Sequence, residues 1–163
     1  MHSVKRWFYL MISVWATVIL PLPSFAQPTN SASIFENVRI SPRFAPDPLV
    51  LRGISGGMIP ASDPTIAGRA ASPTGPCVGY VDRQPDHTVT LTGFFNFLNI
   101  QVQSDEDTTL VIKGPGGSWC NDDVKAKNPG VAGQWLEGEY GIWVGSYDQN
   151  EYHPYRLRIT QVE

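Results

Sequence analysis

From Cys77 onward the chain alternates apolar and polar positions with a period of two. Over 87–93, Val89 and Leu91 oppose Thr88, Thr90 and Thr92; over 97–103, Leu98, Ile100 and Val102 oppose Asn99, Gln101 and Gln103. Leu110 and Ile112 form an inward pair over 109–113, and Tyr140, Ile142 and Val144 stand opposite Gly141 and Gly145 over 140–146. Leu157 and Ile159 turn inward against Arg156 and Arg158 over 155–159, and 78–81 makes a further short strand. This period is that of a strand buried on one face. Such strands recur about every ten residues between Gly, Asn, Asp and Pro turns, the spacing of an antiparallel sandwich rather than of βαβ units. No window of a dozen residues has helical periodicity, so an all-β fold, an antiparallel β-sandwich, is predicted.

The first half of the chain reads differently. Lys5 and Arg6 precede an apolar run from Trp7 to Leu20; Pro21 and Pro23 then break it, and Ser24-Phe25-Ala26 follows. This is the layout of a signal peptide over 1–26, and the run is shorter than the roughly 20 residues that span a bilayer. The expected location is secreted or periplasmic, with no membrane span after cleavage. Eight of the 12 prolines beyond residue 26 fall in 27–76. That segment is predicted to be irregular and surface-hugging, with edge strands at 34–40 and 49–53, because proline is tolerated at sheet edges. Gly53-Ile54-Ser55-Gly56-Gly57 reads as a turn needing positive φ. The sandwich core is assigned to 77–163, with 27–163 as one domain of ordinary size.

Charge narrows the partners. Loss of Lys5 and Arg6 moves the formal charge from −3 to −5, with 10 basic and 15 acidic residues remaining. An acidic surface argues against nucleic acid and against an anionic membrane as the main partner. Two cysteines, Cys77 and Cys120, leave the reducing cytoplasm together, which predicts one disulfide.

Three groups of residues carry candidate chemistry. Asp105 and Asp107, with Glu106, precede one strand, and Asn121, Asp122 and Asp123 follow it; the chain between them turns at Gly114-Pro115-Gly116-Gly117. Convergence of the two groups would offer calcium the hard oxygen ligands it takes. The plainer reading makes them solvated turn residues, since no twelve-residue calcium loop is present. Aromatic residues are frequent, and Trp119, Trp143 and Tyr147 are the candidates for a partner-binding surface. Trp143 lies opposite the Ile142/Val144 face, so it is either exposed or packed against the Pro-rich arm. Ser55, with Asp86 and His87, offers the residue types of a serine hydrolase. Asp86 and His87 are sequence neighbours, however, whose side chains point to opposite faces of a strand, and the chain is short for that architecture. Only His87 and His153 lie beyond the signal, without zinc-site spacing, and the glycine turn lacks a P-loop lysine.

DTTLVIKGPGG, the following CNDD, then GEYGIWVGSY and PYRLRIT together resemble the bacterial pre-peptidase C-terminal domain, over about Thr88 to Thr160. The resemblance implies a compact, jelly-roll-like, secreted and usually non-catalytic sandwich that accompanies proteases and in some members binds calcium or an extracellular polymer. No protease domain is attached here, and 27–76 has no counterpart in that pattern.

The expected function is therefore an exported, non-catalytic binding or accessory module, with calcium as its one candidate cofactor. Its partner is an unidentified extracellular or periplasmic protein or polysaccharide. The alternatives are a hydrolase using Ser55 and His87 and a purely structural envelope protein.

Overall fold

A computed structural model of the chain describes residues 34–162; the expected signal, 1–26, lies outside them. Among the described residues every regular element is a β-strand, and no helix is long and apolar enough to cross a membrane. The strands are β1 (Val38–Ile40), β2 (Leu49–Ile54), β3 (Ile59–Pro60), β4 (Ala71–Ser72), β5 (Gly75–Pro76), β6 (Tyr80–Val81) and β7 (His87–Leu91). They continue as β8 (Phe95–Gln103), β9 (Thr108–Gly114), β10 (Gly117–Asn121), β11 (Gly130–Trp135), β12 (Gly138–Ser146) and β13 (Pro154–Thr160).

Two sheets face each other. Sheet A runs β10-β9-β12-β7-β1, with β6 and β3 continuing beside the far end of β12. Sheet B runs β11-β8-β13-β2. Between them lies a core in which Val89, Leu91, Leu110, Ile112, Tyr140, Ile142 and Val144 of sheet A meet Leu51, Leu98, Ile100, Val102, Leu157 and Ile159 of sheet B. Every inward residue expected from the alternation is in this core. Burying one such aliphatic side chain contributes about 1.5–3 kcal/mol, so the inner faces outweigh any other feature of the fold.

Three features depart from the sequence expectation. The pairing of β1 with β7 is parallel, whereas the other ladders are antiparallel. β10 and β11 fall where loops were expected, because an acidic turn and a glycine-rich run hid two short alternations. Most consequential, β9 and β12 are buried on both faces rather than one. Val111, Cys120 and Trp143 on the outer face of sheet A form a second apolar cluster with Ala61, Ile66, Ala67, Cys77 and Val81.

Residues 59–81 thus form a cap over sheet A, held by the Cys77–Cys120 disulfide with its Cα atoms 5.0 Å apart. Polar contacts fasten the same cap. Ser72 Oγ accepts the Cys120 N–H at 2.8 Å, and Thr74 Oγ1 donates to the Cys120 carbonyl at 2.8 Å, so the outer edge of β10 is closed by side chains of the β4-β5 hairpin. Lys113 Nζ donates to the Ile66 carbonyl at 2.8 Å. Gly57, at φ +147°, lies against the Val81 backbone where a Cβ would collide with it, and Gly56 also has positive φ.

Replacing both cysteines by alanine opens a bridge of sequence separation 43, worth about 4 kcal/mol in the chain-entropy view. A fall in Tm on the order of 10 °C follows for a domain of this size, and an unchanged melting curve would refute a stapled cap. Trp143→Ala should cost about 3–5 kcal/mol as a core deletion, read as a lower denaturant midpoint.

Candidate functional site

The open edge of the sandwich, between β10 of sheet A and β11 of sheet B, holds a group of aromatic rings. Trp119 and Trp135 have centroids 5.5 Å apart, Trp119 and Tyr140 6.2 Å, and Trp135 and Tyr140 5.2 Å with an edge-on geometry. Trp135 is anchored by its Nε1–H to the Leu98 carbonyl at 2.9 Å, and the Tyr140 hydroxyl donates to the Leu136 carbonyl at 2.9 Å. Trp119 has no such anchor and stays half-buried. It forms one wall of a cleft of about 340 Å³ with Pro115, Gln134, Trp135 and the exposed Leu136. A rigid ring with one free face, next to an exposed aliphatic side chain, can take up an apolar or ring-shaped group of a partner.

The three aromatic candidates do not share a surface. Trp119 lines the cleft. Trp143 is 7% exposed in the cluster beneath the cap, a correction to its candidacy as a binding residue: the Pro-rich segment occupies the face on which it would have been presented. Tyr147 is exposed, but its N–H donates to the Asp107 carbonyl at 3.3 Å, which places it at the acidic corner. Leu136 was missed as a cleft residue, and Trp135 belonged to the aromatic group without being singled out from it, because the run GVAGQW reads first as a loop. Its alternation of Val131 and Trp135 with Ala132 and Gln134 was the available signal.

The acidic residues converge in part. Burial, then the charges of Asp123 and Asp107, push Asp122 up to about 6. Burial and Asp123 likewise raise Asp107, with Asp148 adding to it and Lys127 opposing. One carboxylate oxygen of Asp122 is buried without a hydrogen-bond partner. Asp105 lies elsewhere, in a groove beside Arg52 and Arg156. Asn121 is committed to the fold: its Oδ1 accepts the Gly130 N–H at 2.9 Å and its Nδ2 donates to the Thr74 carbonyl at 2.9 Å. Among the described residues no three His, Cys, Asp or Glu side chains are gathered to hold a metal ion. Asp107, Asp122 and Asp123 thus form an acidic corner whose mutual repulsion Lys127 offsets at Asp107.

Ser55, Asp86 and His87 are all buried, near one another in the fold and engaged separately. Ser55 Oγ shares a 2.9 Å hydrogen bond with Ser146 Oγ and accepts the His153 N–H at 3.1 Å. His87 Nδ1 lies 2.8 Å from the Glu36 carbonyl, which can only accept, so the proton sits on Nδ1. The bare Nε2 then accepts the Tyr155 hydroxyl at 2.9 Å. Burial pushes the His87 pKa down, in keeping with that neutral tautomer. Asp86 Oδ2 accepts the Val144 N–H at 2.7 Å rather than orienting His87. Among the described residues no hydrogen bond joins Ser55 to His87 or His87 to Asp86, so these groups lock β2, β7, β12 and β13 together instead of forming a nucleophile relay. Gly53 is required beside them, since a Cβ there would strike the Tyr155 ring.

An uncharacterized protein of Synechococcus elongatus is 32% identical over 116 residues, spanning 69% of this chain and 75% of that one. The chain belongs to that protein's family. No family model matches the sequence. Among solved structures, the pre-peptidase C-terminal domain of a collagenase from Bacillus anthracis is similar with a TM-score of 0.43 and 13% identity. That likeness covers 77% of this chain and 95% of that domain.

Burial pushes the Asp86 carboxyl up from 3.8 to about 7, with nearby Asp82 adding to the effect and the Val144 N–H opposing it. The folded chain holds this proton more tightly than the unfolded chain. Its contribution is therefore full below about pH 4 and is lost as pH rises through about 7, on the order of 4 kcal/mol in all. The stability difference between the parent and Asp86→Asn should fall across this window, and subtracting the two curves removes the titration of His87; a pH-independent difference would refute the assignment. At pH 8, Asp122→Asn should raise Tm by relieving repulsion, equally with calcium and with a chelator. A calcium-dependent rise in the parent that the variant loses would instead establish a metal site.

Proposed function

We propose that this chain is an exported, non-catalytic binding or accessory module of the pre-peptidase C-terminal type. The aromatic cleft at its open edge takes up a group from an extracellular or periplasmic partner. The observation that carries this reading is Trp119, a half-buried ring packed on Trp135 and Tyr140 yet left with a free face beside exposed Leu136. Large aromatics with one desolvated side and one accessible side dominate recognition energies.

Other observations support it. The residues that resemble the pre-peptidase pattern fall on β9, β10 and β12, consecutive partners in sheet A, and on β13, an inner strand of sheet B. The disulfide and the charged, apolar and small-residue regions of 1–26 favour export. The separate engagement of Ser55 and His87 favours a structural role for the residues of the hydrolase alternative.

The test combines binding and turnover. On glycan and peptide arrays, Trp119→Leu should weaken binding at least about tenfold, the loss of one aromatic anchor, while Tm stays within a few degrees. Arrays without binding, or binding indifferent to Trp119, would remove the cleft from the reading. Ester hydrolysis by the parent that disappears in Ser55→Ala would overturn the non-catalytic assignment.

A further inference from the structure

The outer face of sheet B carries a concentration of positive charge on an otherwise acidic chain. Ladder register places Gln103, Arg156 and Arg52 in one row across β8, β13 and β2, and Gln101, Arg158 and Val50 in the next. Alternation along each strand turns these side chains away from the core, with Arg52, Gln103 and Arg156 exposed and Gln101 and Arg158 half-buried. Arg52 and Arg156 are direct cross-strand neighbours, an arrangement that like charges make unfavourable. Neither is neutralised: among the described residues the only ion pair within 4.0 Å joins His153 to Glu151. Sheet A handles its outer row differently. There Arg39 and Glu139 flank Thr90 from either side, so the opposite charges share a row.

A face that existed only to keep the sheet soluble would gain nothing from placing two arginines opposite each other without an acid. Beside them lies a groove of about 430 Å³ lined by Arg52, Gln103, Ser104, Asp105 and Arg156. Asp105 is its one carboxylate, and it forms no ion pair with either arginine. We infer that this face is a second binding surface, and that its ligand is a polysaccharide bearing carboxylate groups.

Two features select that chemistry. Guanidinium forks hold planar carboxylates through paired hydrogen bonds, and the interleaved glutamine amides both donate to and accept from sugar hydroxyls. The face has no exposed aromatic residue of the kind that anchors protein interfaces; Val50 and Ile54 are its exposed apolar side chains. Three arginines on a chain of net charge −3 also suit a sparsely charged polymer better than nucleic acid, which carries one charge per roughly 1.7 Å of duplex. The inference goes beyond the aromatic cleft, which lies at the opposite edge of sheet B, so failure of one surface leaves the other intact.

Affinity electrophoresis of the purified full chain through gels containing polygalacturonate tests this directly. Dextran serves as the neutral control, and double-stranded DNA and phosphatidylglycerol vesicles as the other anions. Polygalacturonate should retard the chain at low ionic strength and dextran should not. Added salt should weaken the retardation, and Arg52→Gln/Arg156→Gln should weaken it at least about tenfold, with Arg39→Gln as the unaffected control. Relief of repulsion should leave the Tm of Arg156→Gln at or above that of the parent. If the double glutamine variant does not fold, Arg52→Lys/Arg156→Lys decides the matter, since it keeps the charge and loses the fork; unchanged binding there overturns the inference. Absence of retardation, retardation that survives the double variant, or equal affinity for DNA or vesicles would each overturn it as well.

Discussion

Over the stretch where β9 and β12 pair, sheet A has no free face. Leu110, Ile112, Ile142 and Val144 point into the sandwich, while Val111 and Trp143 point outward into a second apolar cluster. Left bare, that outer face would expose a tryptophan and a valine on adjacent central strands, and apolar patches of this kind drive association. The cap formed by 59–81 prevents it, and the disulfide binds that cap at Cys120, one residue from the site of Trp119. The cap, the edge of β10 and the aromatic cleft are therefore mechanically one unit. Ser72 and Thr74 satisfy the backbone of β10 on its outer side, which removes the pairing edge that an exposed strand offers.

The inner faces were legible in the sequence because a period of two has a direct physical cause. Val89 and Leu91, Leu98 to Val102, and Leu157 and Ile159 each declare one buried and one wet side, and all reach the core. The double burial of β9 was less visible. TTLVIKG reads as an inward pair with Val111 between them, and nothing local states whether a valine at that position meets water or another segment. That information lies some 40 residues away, in a Pro- and Gly-rich stretch whose composition suppresses any periodic signal. Trp143 illustrates the same limit: its face was assigned correctly, and its burial depended on a partner that no pattern identifies.

The candidate chemistry was legible to a similar degree. The convergence of Asp107, Asp122 and Asp123 follows from the β9-β10 hairpin, whose glycine turn brings the two ends of the acidic stretch together. Asn121 was unreadable as a structural residue, because its two hydrogen bonds reach the β4-β5 hairpin and the start of β11. Asp86 and His87 take separate partners, the Val144 N–H for one and the Glu36 carbonyl and Tyr155 hydroxyl for the other. What the sequence did not announce is that each would be buried, a consequence of β7 lying between β12 and β1 in sheet A.

The two sheets thus have different outer surfaces, and the difference bears on function. Sheet A spends its outer face on stability, through a cap, a disulfide and an apolar cluster. Sheet B places unpaired arginines and glutamines on its outer face, and no segment among the described residues covers them. A binding surface needs a rigid support and an uncovered side chain array at once. The capped sheet supplies the rigidity, since its strands β7 and β12 are tied to β13 and the end of β2 in sheet B through the His87–Tyr155 and Ser146–Ser55 hydrogen bonds. Charge repulsion between Arg52 and Arg156 is tolerable on such a support, because the aliphatic core beneath them outweighs a cost of at most about 1 kcal/mol.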